Sequence, residues 1–165
     1  MRKTFIFLLI ILIALMVFAL NFKDLYRFFI DLPGWKGMKP EGSQGTFGEV
    51  SMITATRSYT KGNASLKATI VSGNMVGGMW APFAMKMEFE DEDQWVKVKE
   101  INGFNVGLSY NKKDKDGSIM VNLSKKPEEN VGLFAIEYKG ISPEKALELA
   151  KKFDWKGIAE ALLSK

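Results

Sequence analysis

Phe104-Asn105-Val106-Gly107-Leu108-Ser109-Tyr110 places a large apolar side chain at every second position. A period of two marks a strand whose faces differ, one set of side chains meeting a core and the other facing away. After the polar run Asn111–Gly117, Ile119, Val121 and Leu123 repeat the alternation. Asp116-Gly117 is a turn dipeptide, so the two runs read as a hairpin.

The same pattern extends outward. Glu49–Thr60 is rich in β-branched and aromatic residues, with Ile53, Ala55 and Tyr59 on one parity. Leu66, Ala68 and Ile70 follow the turn Lys61-Gly62-Asn63, Phe134, Ile136 and Tyr138 mark another strand, and Trp95–Ile101 a shorter one. About six strands with one covered face predict an antiparallel sheet. The cover is visible at the C-terminus. Ser142-Pro143-Glu144 supplies an N-cap, a proline at the first helical position and an acid in the first turn. Ala146, Leu147, Ala150 and Phe153 then form a helical stripe, and Asp154 caps a second helix carrying Trp155, Ile158 and Leu162. Asn74–Met87 has room for a short helix interrupted near Pro82. The expected fold class is α+β, an antiparallel sheet backed by C-terminal helices.

Upstream, Thr4 to Phe22 contains no charged residue and follows Arg2-Lys3. At ~1.5 Å per residue such a helix spans roughly 28 Å, close to the ~30 Å hydrocarbon core of a bilayer. A basic flank stays cytoplasmic, so the expected topology is single-pass, with the domain on the periplasmic or extracellular side. Leu25, Phe28, Phe29 and Leu32 continue in helical spacing to Pro33-Gly34. One helix from about Thr4 to Leu32 is the simplest reading, which divides the chain into residues 1–32, anchor with an amphipathic extension, and 33–165, the exported domain. The alternative is a signal peptide cleaved near Ala19, leaving a secreted or periplasmic domain. Pro33–Gly48 reads as an extended lead-in with Trp35 pinned into the domain. Its glycines follow no strand and no Gly-Lys-Ser/Thr closes the run, so it does not read as a phosphate loop.

Composition narrows the chemistry. The chain has neither Cys nor His, so disulfides, ordinary zinc sites and Ser–His or Cys–His nucleophiles are unavailable to it. From residue 33 onward there are 19 Lys+Arg and 17 Asp+Glu, a difference of +2. Lysines and acids intermix with no clustered basic face, so no nucleic-acid partner is expected.

Leu32-Pro33-Gly34-Trp35, the glycine-rich lead-in, Ala55-Thr56-Arg57-Ser58-Tyr59, Ala81-Pro82-Phe83 and Leu149-Ala150-Lys151 through Leu162 resemble a class of small exported bacterial single-domain proteins, largely uncharacterised. More distantly, the layout is similar to PsbP-like sandwiches. The resemblance implies an accessory or binding role beside a membrane assembly and supplies no catalytic residue.

Met75-Val76-Gly77-Gly78-Met79-Trp80-Ala81-Pro82-Phe83-Ala84-Met85-Lys86-Met87 gathers four of the nine methionines. Thioethers can hold Cu(I), but they also fill irregular gaps and make adaptable contact surfaces. Met75, Met79, Trp80, Phe83 and Met85 are therefore expected to form a ligand or partner patch, with no metal. The acidic run Glu88–Asp93 and the Asn111–Gly117 loop match no dedicated calcium spacing. Arg57 shares a parity with Tyr59 and needs an anionic or carbonyl partner, for which Glu137 is the candidate; recognition of an anion is the alternative. No catalytic residue and no cofactor emerge. The expected function is a membrane-tethered accessory or binding domain without catalytic activity, working with a protein partner in a membrane complex. Two alternatives are a carrier or sensor of an apolar ligand, with its pocket between sheet and helices lined by Met75–Met87, and a carboxylate-dependent hydrolase of the envelope.

Overall fold

The computed structural model describes residues 20–86, 88–124 and 131–164. In chain order they form a 3-10 helix (Phe22–Phe28), β1 (Lys36–Gly37), β2 (Glu41–Phe47), β3 (Val50–Lys61), β4 (Ala64–Gly73), α1 (Val76–Ala84), β5 (Phe89–Glu90), β6 (Gln94–Ile101), β7 (Phe104–Asn111), β8 (Asp116–Asn122), β9 (Leu133–Lys139), α2 (Pro143–Ala150) and α3 (Trp155–Leu163). The strands make one nine-stranded sheet of order β1-β3-β4-β9-β8-β7-β6-β5, with β2 also paired to β3, and every pairing is antiparallel. The fold is α+β.

Alternation sorts the side chains as the sequence suggests. Ala55 and Tyr59, Leu66, Ala68 and Ile70, Val106 and Leu108, Ile119 and Val121, and Phe134, Ile136 and Tyr138 enter one core with α2 and α3. Phe153, at the bend between those helices, meets Tyr59 edge-on at 6.4 Å and Phe134 at 5.0 Å between ring centroids. Trp155 stands edge-on to Phe104 at 6.1 Å. The helix starts use the expected caps. Ser142 Oγ accepts from the Lys145 N–H at 3.3 Å, and Asp154 Oδ1 from the Gly157 N–H at 2.9 Å.

Two expectations are corrected. The sheet has nine strands rather than about six, because the glycine-rich lead-in contributes β1 and β2 and a two-residue β5 joins the far edge. β2 has no alternation to betray it. All its side chains are exposed and it is held through its backbone pairing with β3. Gly42 lies against the Phe22 ring, where a Cβ would come within 2.8 Å.

The second correction concerns the helix expected to run to Leu32. Asn21 has extended backbone (φ −103°, ψ 148°) and accepts from the Lys23 N–H, while Asp24 accepts from the Asn21 N–H. This capping box starts a helix at Phe22. It is a single 3-10 segment that ends at Phe29, where the chain becomes extended again. Leu25, Phe29 and Leu32 are buried in the main core, so the folded unit takes in residues ahead of Pro33. Trp35 packs against the same core.

Among the described residues no helix is long and apolar enough to cross a membrane. Arg2, Lys3, the charge-free run as far as Ala19 and the cleavage position near Ala19 lie outside the described residues.

Candidate partner-binding surface

α1 packs on the face of the sheet opposite α2 and α3. Val71 and Leu133 point away from the main core and meet Val76, with Trp80 and Met120 beside them. At the other end of the helix the Phe83 ring lies over Gly107 and fills the space where any side chain there would stand. Trp80 leans on Phe83 with ring centroids 5.3 Å apart. Pro82 lies inside the helix and does not end it; α1 continues to Ala84.

Val76 and Phe83 are thus the buried anchors of α1, whereas Met75, Met79 and Met85 are exposed, Met85 at 76%. The expected patch of Met75, Met79, Trp80, Phe83 and Met85 is brought together on one short helix and its flanks, but Phe83 lies beneath it. Met87 lies outside the described residues. No residue from Ala68 to Met85 carries a charge, so the outward side of α1 is apolar and adaptable. Because α1 occupies the second face, it does not line a space between the sheet and the C-terminal helices.

Arg57 does share the helix-side face, and each of the three nitrogens of its guanidinium makes a hydrogen bond. Nε donates to the Met38 carbonyl at 2.8 Å, Nη1 to the Phe29 carbonyl at 3.0 Å and Nη2 to Asp31 at 2.6 Å. It also lies over the Tyr59 ring, 5.1 Å from its centroid. Glu137 is not its partner. Arg57 sits opposite Ala68 and, one strand on, Ile136, so Glu137 points to the other face. There it meets Lys67 at 3.2 Å. Arg57 therefore ties the N-terminal segment and the lead-in to β3.

Two carboxylates of the acidic run are similarly committed. Glu90 pairs with Lys97 at 3.2 Å and Lys112 at 3.3 Å. Hydrogen bonds from those lysines, Lys97 first, hold its carboxyl below the usual carboxylate range. Asp91 accepts from the backbone N–H groups of Gln94 and Asp93, each at 2.8 Å, which lowers it as well. Asn111 Oδ1 accepts from the backbone N–H groups of Lys113 and Asp114 at 3.0 Å, making a turn. Among the described residues no group of three or more carboxylates could hold a metal ion.

Depressions mark the surface of the described residues, and three of them bear on the candidate sites. One, about 610 Å³, is an open trough that includes Ser58, Tyr59, Lys67, Glu137 and Tyr138. A second, about 430 Å³, has Phe104, Phe153 and Trp155 as its apolar wall, between the β6–β7 turn and the α2–α3 bend. The third, about 180 Å³, lies under the start of α2 with Lys97 and Lys99 in its lining. These lysines were passed over in the sequence, although Trp95, Lys97, Lys99 and Ile101 share one parity that puts them on the helix side.

Comparison with protein-family models, curated proteins and solved structures returns no match for this chain.

Proposed function

We propose that the chain is a membrane-tethered binding module that performs no reaction of its own. Its charge-free N-terminal segment holds an exported domain beside a membrane complex, and α1 recognises a protein of that complex. The observation that carries this reading is the arrangement of α1. A nine-residue helix is fixed to the sheet by Val76 and Phe83 while Met75, Met79 and Met85 remain in solvent. Exposed, clustered apolar side chains mark interaction sites, and methionine suits surfaces that must adapt to a partner.

The test is site-specific photocrosslinking in native membranes. A photoreactive group at Met79 or Met85 should capture one discrete protein, and the same group at Asn63 should not. Replacing Met79 and Met85 with Ser should abolish capture from a neighbouring position while the melting temperature stays within a few degrees. Unchanged capture in that folded variant would sink the reading.

A second reading has one observation in its favour. The 430 Å³ depression is walled by three aromatic rings and falls within the ~300–1,000 Å³ range of small-molecule sites. An apolar ligand there would contact Trp155 and change its fluorescence; titration with a fatty acid or an isoprenoid that leaves the emission unchanged would dismiss it.

A further inference from the structure

Around β2, β3 and β4 the two ends of this sheet differ in character, although the β8–β9 connection, which belongs to the second end, carries Lys125, Lys126, Glu128 and Glu129 in its sequence. At one end lie Lys61-Gly62-Asn63 between β3 and β4, Asp91-Glu92-Asp93 before β6, and Lys112-Lys113-Asp114-Lys115 between β7 and β8. All are polar and most are charged. At the other end the β2–β3 turn exposes Phe47, Val50 and Met52, with Phe47 at 83% the most exposed large apolar side chain among the described residues. Met75 follows β4 beside them. Leu163 is also exposed and closes α3 here, since its neighbour Leu162 lies against Gly132.

This apolar end is built. Met52 pairs with Gly73 in the β3–β4 ladder. The Asn74 side chain then fastens the hairpin to the loop that carries Met75: its Oδ1 accepts from the Ser51 N–H at 2.8 Å and its Nδ2 donates to the Glu49 carbonyl at 2.5 Å. From Gly42 to Thr56 the only charged residue is Glu49, and from Ala68 to Met85 there is none.

The N-terminal segment joins the domain in the same half. The Phe22 N–H donates to Gln44 Oε1 at 3.2 Å, and Gln44 lies opposite Ile53. From there the chain runs away from the β2–β3 turn, because the Phe29 and Ile30 carbonyls accept from Arg57 and Tyr59 further along β3. Ile53 is three positions from Val50, roughly 10 Å along a strand at ~3.3 Å per residue. The charge-free segment therefore meets the domain within about 10 Å of its most apolar turn.

We propose that this end of the domain lies on the lipid bilayer that the N-terminal segment enters, with Phe47, Val50, Met52 and Met75 seated in the interface. The inference rests on the tethered reading above and shares only Met75 with the α1 patch, leaving Met79 and Met85 to the protein partner. Attraction to anionic headgroups is not the driving force, since Glu49 is the only charge on the turn; the apolar side chains are. The polar turns at Asn63 and Asp114 then face away from the membrane, and the tether fixes an orientation as well as a location.

The absence of cysteine makes the test clean. Phe47→Cys, Met75→Cys and Asn63→Cys versions of the full chain, each carrying an environment-sensitive fluorophore, are reconstituted in phosphatidylcholine vesicles. Side chains seated ~5–10 Å deep should be quenched by spin-labelled lipid about threefold more strongly at positions 47 and 75 than at 63. Aqueous iodide should give the reverse order, and added anionic lipid or salt should change neither. If the chain stays in the membrane through alkaline carbonate extraction but position 47 is as open to iodide as position 63, this inference falls and the tether stands. A chain that washes off overturns both. Shielding of position 47 in native membranes without lipid quenching would assign the surface to a protein and overturn the inference too.

Discussion

Arg57 and Asp31 meet at 2.6 Å, yet they contribute unequally, because the Asp31 side chain is 91% exposed and that of Arg57 only 13%. An exposed carboxylate adds ~0–1 kcal/mol to an ion pair. The guanidinium has more at stake, since it also satisfies the Phe29 and Met38 carbonyls through donors that a lysine cannot present in the same fork. Arg57→Lys should lower stability by roughly 1.5–3 kcal/mol, whereas Asp31→Asn should cost under about 1 kcal/mol. Urea denaturation of the two variants checks this, and equal losses would mean that the ion pair dominates.

The packing of Leu25 makes a sharper statement about where the domain starts. Leu25 is fully buried and Phe29 nearly so, both in the core shared with α2 and α3. Leu25→Ala should therefore cost ~2–5 kcal/mol, a large part of a domain's usual ~5–15 kcal/mol. A chain beginning at Asp31 loses both side chains and should lack cooperative unfolding, whereas one beginning at Leu20 should retain it. Thermal melts followed by circular dichroism separate the two, and equal stability would place Leu25 outside the cooperative unit.

What could be read in advance follows from where the information sits. The alternation of Phe104–Tyr110 and Ile119–Leu123 reports burial on one face, so β7 and β8 were legible, as were α2 and α3 from Ser142-Pro143 and Asp154. β2 was hidden because Glu41–Phe47 buries no side chain and the ladder to β3 uses the backbone alone. The break at Asn21 had a signal, an Asn with an Asp three residues later, but the apolar spacing of Leu25, Phe29 and Leu32 fits both a continued helix and one turn followed by extended chain. The Met75–Met85 patch was legible as a cluster, but which of its members face solvent was not. That depends on Gly107, which is distant in sequence and admits the Phe83 ring. The partner of Arg57 needed the strand register, which alone shows that residue 137 points the other way.

Gly107 offers a way to move α1 without touching it. A Cβ there would collide with the Phe83 ring, and the main core on the other side of β7 would be undisturbed. Gly107→Val should lift the end of α1 from the sheet, shift Trp80 emission to the red and weaken crosslinking from Met85. Overpacking typically costs ~1–3 kcal/mol, so the sheet and C-terminal helices should still melt cooperatively. Phe83→Ala combined with Gly107→Val should restore part of the loss, because the colliding ring is gone. A lone Gly107→Val that leaves Trp80 emission and crosslinking unchanged would show that α1 does not depend on this contact.

Alkaline pH should probe the contact between β3 and the N-terminal segment. Tyr59 is fully buried and donates to the Ile30 carbonyl at 2.9 Å. Burial pushes its phenol from 10.0 up to about 12, outweighing the nearby Arg57, which acts in the opposite direction. The unfolded chain gives up this proton near its ordinary value while the folded chain holds it, so stability is complete below pH 10 and falls as pH rises towards 12. One such group contributes a slope of up to about 1.4 kcal/mol per pH unit in that window. Tyr138 is raised as well, by burial first and then by Tyr110, Glu144 and Asp116, and extends the loss. Tyr59→Phe should flatten the alkaline slope and, by leaving the Ile30 carbonyl without its donor, cost about 1–2 kcal/mol at neutral pH. Urea midpoints measured from pH 7 to pH 11 test both halves of this expectation. A wild-type midpoint that holds steady through pH 11, or a Tyr59→Phe variant with an unchanged alkaline slope, would show that the buried phenol does not control this transition.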